Sequence, residues 1–208
     1  IVTRDASTLS IALALDPGAS RSVELKIGSR GSDWDRIDSA GRFGRLSFDA
    51  ARRWTIDYWT RRLAACADFR VPDEPLNRIW RSLLVHQSMW GDQDEGSGTF
   101  RPNVAAFIYG PVGNESSQMV KALDMYGDHP MARRYLDPMC LTQGSDDVNA
   151  RVESGDGILV GYWAHYTFNT GFILWNGANH YRFTRDAEWL RRVAPNWVKA
   201  CDWIARER

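Results

Sequence analysis

GPVGNESSQMVKALDMYGDHPMARRYLDPMCLTQG, residues 110–144, holds two helical periods on either side of one tight turn. Met119, Ala122, Leu123 and Tyr126 recur at helical spacing and predict a helix over 114–127. Asn114 is placed as its N-cap, where a side-chain oxygen takes an orphan backbone N–H. Glu115 then stands in the first turn, where the helix dipole favours a negative charge. Gly127 suits the left-handed stop after the last turn. Pro130 opens the next helix, and Ala132, Tyr135, Leu136 and Met139 form its apolar face. The DHP turn between them makes 114–127 and 130–143 an antiparallel helical hairpin. On this reading Glu115, Ser116 and Ser117 are displayed at one end of a helix whose body is core.

Working outward, the same plan recurs. Asn169 or Thr170 caps a helix bearing Leu174, Ala178 and Tyr181. A short FTRD turn leads to a last helix from Asp186 with a Leu190, Val193, Trp197, Cys201 and Ile204 stripe. Pro195 inside that stripe is expected to kink or split it. Upstream, Phe48 to about Asp68 reads as a linker helix with Ala51, Trp54 and Tyr58 on one face. The next helix is capped by Asp73, with Pro75 in its first turn and a stripe of Leu76, Ile79, Trp80, Leu83, Leu84 and Gln87. Long loops, 91–110 and 144–168, precede the two hairpins. Residues 1–31 differ. Leu9, Ile11, Leu13 and Leu15 alternate, as do Val23, Leu25 and Ile27, with the DPGAS turn between them, which predicts two strands. The Gly- and Ser-rich stretch 28–46 is a connector. The expected organisation is β strands and connector over 1–47, then α-hairpins over 48–208.

A chain of 208 residues can bury an ample core. Its formal net charge of zero gives no electrostatic case for nucleic acid or an anionic membrane surface. No apolar run is long enough to span a bilayer. The first ten residues lack the basic and apolar regions of a signal peptide. Cys66, Cys140 and Cys201 are odd in number and far apart, so they read as buried thiols in a reducing, cytoplasmic setting. Ten Trp among 25 aromatic residues are core payload or, in part, stacking platforms for sugar rings.

VKALDMYGDHPMARRYLDPMCLTQG, 120–144, and HYRFTRDAEWL, 180–190, resemble hairpin patterns of the six-hairpin glycosidase superfamily. The order of parts, strands then linker helix then hairpins, is similar too. The resemblance implies a mainly α fold, a partial (α/α)6 toroid preceded by a short β segment from a sandwich-like domain. The chain resembles the front part of such an enzyme, with the missing remainder of the barrel as a partner. The implied activity is hydrolysis of O-glycosidic bonds by inverting general acid/base catalysis, on an oligo- or polysaccharide or glycoside, with no cofactor and no metal. The catalytic pair of glucoamylase-like relatives falls later than the residues present, so this chain is expected to be inactive alone.

Inverting hydrolysis needs an acid and a base far enough apart to admit water. The resemblance places Glu115 at a sugar funnel as substrate ligand or acid, whereas its local chemistry is that of a helix-dipole carboxylate. Asn114 stands where the family carries Arg in a sugar-binding pair, and Asn169 where relatives often carry Asp. The amide keeps hydrogen bonding but has no acid/base capacity. Asp156, before Gly157, binds sugar hydroxyls or closes a turn. Trp163, His165 and Tyr166 suit stacking and hydroxyl binding on the same rim, although His165 equally fits an ordinary surface histidine. Asp92 to Gly96, DQDEG, matches half of a calcium loop and lacks its later ligands. A non-catalytic carbohydrate-binding or scaffolding α-toroid stays open, as does a polysaccharide lyase using Tyr166 and His165.

Overall fold

The computed structural model describes residues 2–4, 8–26, 41–93, 98–104, 112–144, 154–159 and 168–207, and these are mainly helical. Two compact units divide the chain, Ile1–Tyr58 and Trp59–Arg208. Among the described residues no helix is long and apolar enough to cross a membrane.

In the first unit β1 (Val2–Arg4) and β2 (Leu9–Ile11) pair antiparallel, with Val2 opposite Ile11 and Arg4 opposite Leu9. The hairpin expected around DPGAS is corrected here. The turn itself forms, with the Ala19 N–H donating to the Asp16 carbonyl at 2.9 Å. Residues 12–26 contain no strand, and Leu9–Ile11 pairs upstream instead. Leu13, Leu15, Val23 and Leu25 are exposed, so their alternation finds no apolar face to bury against. Ile27 lies outside the described residues. A short helix α1 (Arg42–Arg45) follows, and then α2 (Phe48–Ala64), which runs across the division between the units.

The second unit carries α3 (Glu74–Met89), a two-stranded ladder of β3 (Gly91–Gln93) and β4 (Phe100–Pro102), and four further helices. These are α4 (Gly113–Met125), α5 (His129–Leu141), α6 (Phe168–Thr184) and α7 (Ala187–Arg206). Asp73 caps α3 through the Leu76 N–H, and Pro75 occupies its first turn. The stripe expected on α3 is rotated. Leu84 is buried, yet Leu76, Ile79 and Leu83 are exposed, and Asn77 takes an inner place. Asn77 is drawn in because its amide closes the preceding loop, accepting from the Val71 N–H and donating to the Val71 carbonyl, both at 2.9 Å.

The core is assembled by α4 to α7. Val120, Leu123, Ala132, Leu136, Cys140, Ile173, Trp189 and Val193 are all fully buried. Gly127 ends α4 at φ 82°, where only glycine is unstrained, and α5 starts two residues later. The links between the two helix pairs share one spacing. Asn114 to Asn169, Asp124 to His180, Arg133 to Asp186 and Cys140 to Asn196 join residues 53–56 apart. The early residues of α4 meet the early residues of α6, and the late meet the late. The same order holds for α5 and α7. Each helix therefore lies beside its counterpart and runs in the same direction. α7 is continuous through Pro195, which stands exposed on its outer side, so the helix is not split there. The cysteine expectation is corrected in part. Cys140 is buried, Cys66 is intermediate and Cys201 is exposed.

Close approach fixes this packing. A Cβ on Gly177 would stand 2.2 Å from Cζ2 of Trp197, whereas one on Gly171 would meet nothing within 4 Å. Gly177→Ala should therefore cost about 1–3 kcal/mol in urea unfolding, the usual cost of overpacking. Gly171→Ala on the same helix should be neutral or stabilising by up to about 1 kcal/mol. Equal effects at the two positions would contradict the packing. Burial pushes the Cys140 thiol up to about 12. Dithionitrobenzoate at pH 8 should titrate Cys201 at once and Cys140 only on unfolding.

Candidate functional site at the paired helix starts

The first residues of α4 and α6 stand side by side. Gly113 lies against Asn169, so closely that a Cβ there would meet the Asn169 Cβ at 2.6 Å. The Asn114 N–H donates to Asn169 Oδ1 at 3.3 Å. This corrects two expectations. Val112, not Asn114, is the N-cap of α4, and it offers no side-chain bond. Asn169 is not the N-cap of its own helix, because α6 already begins at Phe168. Its buried amide instead serves the neighbouring helix, accepting one of the N–H groups that the start of α4 leaves without an internal partner.

Asn114 turns its own Oδ1 to the Glu115 N–H at 2.8 Å. Glu115 is exposed, and among the described residues its carboxylate is the only acidic group in the first turn of α4 or α6. Ser116 and Ser117 are not displayed with it. Both are fully buried, and Ser116 donates its hydroxyl to the Pro102 carbonyl at 2.7 Å, tying β4 to the helix start. Thr170 ties the other loop, exchanging hydrogen bonds with the backbone of Leu159 at 3.3 and 3.4 Å. The helix starts are thus held from both sides before any ligand arrives, which is the preorganisation a binding site requires.

Asp156 stands elsewhere in the hydrogen-bond scheme. It is exposed on a turn with Gly157 at φ 101°, its N–H donates to Ser154 Oγ, and its carbonyl accepts from Arg206 on α7. Its hydrogen bonds do not reach Asn114, Glu115 or Asn169. Trp163, His165 and Tyr166 lie outside the described residues, as does the Asp94–Gly96 part of the DQDEG run. Among the described residues no cluster of His, Cys, Asp and Glu is arranged to hold a metal ion.

The opposite ends of α4 and α6 hold a polar cluster that the periodicity did not single out. Asp124 is fully buried in the last turn of α4 and accepts from Nδ1 of His180 at 2.9 Å and of His129 at 2.8 Å. A carboxylate offers acceptors only, so both imidazoles present Nδ1–H. His180 packs its ring edge-on against Trp189 at 4.7 Å. The signal was a carboxylate at a helix C-terminus, where the dipole opposes it, inside an otherwise apolar stripe. Such a placement requires a buried partner. Nearby, the backbone N–H of Trp189 holds the Asp186 carboxyl below the usual carboxylate range, with the Arg133 guanidinium adding to the effect.

No family model, curated protein or solved structure matches this chain.

Removing the cap across the helices tests the site's construction. Asn169→Ala should destabilise the second unit by about 1 kcal/mol, the usual value of a capping side chain. Asn169→Asp keeps the acceptor and adds a charge at the positive end of α4, so it should lose less. An alanine variant as stable as the original chain would show that the amide contributes nothing.

Proposed function

We propose that the chain forms helical hairpins of an (α/α)6 toroid in a carbohydrate-active enzyme, with its substrate end at the starts of α4 and α6. The observation carrying this reading is the common direction of those two helices. In such a toroid the inner helices run parallel and return through outer helices, and the parallel pairings of α4 with α6 and of α5 with α7 support that reading. The sequence resemblance at 120–144 and 180–190 points to the same architecture.

In this function Glu115 and Asn114 offer an acceptor and amide donors to sugar hydroxyls, beside the fixed Asn169. Inverting hydrolysis requires two carboxyl groups roughly 6.5–9.5 Å apart, one protonating the leaving oxygen and one activating water. The paired helix starts supply Glu115 alone. Inverting hydrolysis therefore requires a second carboxylate beyond these two helix starts. One observation favours a second reading, a non-catalytic sugar-binding toroid. Asn169 is committed to holding the neighbouring helix and has no acid/base capacity.

Hydrolysis of a panel of aryl glycosides, by the product of the full coding region, separates the two. The enzyme reading expects turnover, and Glu115→Gln should lower kcat/KM at least tenfold. Unchanged turnover and binding in that variant would remove Glu115 from the site. Saccharide binding without turnover would favour the non-catalytic reading. An unsaturated product absorbing in the ultraviolet would identify a lyase and overturn hydrolysis.

A further inference from the structure

The outer edges of α4 and α6 make two matched ladders. Asn114, Gln118 and Lys121 follow one another along α4 in steps of four and three residues, and Phe168, Phe172 and Trp175 do the same along α6. The parallel register of the helices sets these ladders side by side, and the Lys121 ammonium lies over the Trp175 ring, 4.3 Å from its centroid. Phe168 meets Phe172 edge to face, and Phe172 meets Trp175 in the same way, each pair at 6.2 Å. These rings are not core. Phe168 is 49% exposed and Trp175 42% exposed. Gln118 is exposed and Lys121 half-buried. Seven residues of helix rise give the face a length of about 10 Å.

The chemistry of the two ladders is complementary. The aromatic ladder offers flat apolar surface to the C–H faces of pyranose rings. The other offers side-chain amides, which donate and accept to hydroxyls. Among the six residues the only charge is positive. Lys121 forms no ion pair with a described residue, and its stem and ammonium rest on an aromatic ring, a position from which a carboxylate can draw it. Resting on the function proposed above, we infer that this face binds an acidic saccharide, a uronate-containing chain whose sugar rings stack on Phe172 and Trp175 while a carboxylate pairs with Lys121. Glu115 lies off the ladder, about 100° round α4 from Asn114.

The probes are trigalacturonate and the neutral maltotriose, titrated calorimetrically into the 208-residue chain at low salt. Trigalacturonate should bind more tightly, and its affinity should fall as sodium chloride is raised. Lys121→Met removes the charge and keeps the stem. It should weaken trigalacturonate at least tenfold and maltotriose less than twofold. Trp175→Ala should weaken both at least fivefold. Trp175 is exposed and Lys121 half-buried, and a thermal melt checks folding of both variants. Should Trp175→Ala fail that check, the lysine variant decides alone. An unchanged ratio of acidic to neutral affinity in Lys121→Met overturns the inference, as does a face to which neither sugar binds. Glu115-dependent cleavage of neutral glycosides alongside an unresponsive Lys121 would sink this inference and leave the proposed function standing. A Lys121-dependent preference for trigalacturonate with no turnover by the full-length protein would do the reverse.

Discussion

The contact between α4 and α6 is the constraint on which the second unit depends. It has no side chain at one end, where Gly113 abuts Asn169, and a buried carboxylate at the other, where Asp124 meets His180. The glycine lets the helices converge at their starts. The Asp124–His180 pair fixes their depth and register, because a slip of one turn would strand a buried acceptor against apolar side chains. Leaving a buried polar group unpaired costs about 1–3 kcal/mol, and more for a charge. That is a large share of the stability of an ordinary domain. Apolar burial alone would tolerate several registers, so the polar pair specifies one.

Everything that reaches the helix starts follows from that register. Asn169 sits within hydrogen-bonding distance of the α4 backbone because the two helices are level. Ser116 and Thr170 then anchor the incoming segments at β4 and Leu159. α5 and α7 copy the register one layer away, through Arg133 with Asp186 and Asp137 with Trp189 and Arg192. Gln143 closes the back, donating to the Gly157 and Asn196 carbonyls. The result is two pairs of parallel helices, α4 with α6 and α5 with α7, linked by different side chains at matching positions.

Much of this was legible in the amino-acid order. Helical periods at Met119–Tyr126 and Ala132–Met139 are strong because each buries an apolar stripe, and Asp73, Gly127 and Asp186 punctuate the helices by local chemistry. On α7 the buried face is Trp189, Val193, Ala200 and Trp203, turned away from the expected Leu190–Ile204 stripe, whose Cys201 is exposed. What failed did so for physical reasons. Local sequence points to the nearest polar residue as a cap, but the Asn114 N–H at the start of α4 is served by Asn169, which is remote in sequence. Position in the first turn suggests displayed hydroxyls for Ser116 and Ser117, and their burial, with Ser116 bonded to the Pro102 carbonyl, is a tertiary fact. On α3 the apolar pattern was broad enough to fit several rotations, and Asn77 chose among them by closing a loop. Alternation at Leu9–Ile27 described residues suited to strands, without naming a partner. The Asp124 cluster was hidden because its partners lie 5 and 56 residues away. Of the candidate site, Asn114, Glu115 and Asn169 are brought together, and Asp156 is bonded elsewhere.

The common direction of α4 and α6 is the central claim, and a spin label reads it directly. A nitroxide at Gln118→Cys, with Cys66 and Cys201 replaced by Ser, broadens amide resonances according to distance. Parallel helices place position 172 beside the label and position 183 farther along the axis by eleven residues, about 16 Å. Strong broadening around Phe172 with Phe183 largely spared is the predicted result. The opposite pattern, Phe183 broadened and Phe172 spared, would contradict the parallel pairing and with it the toroid.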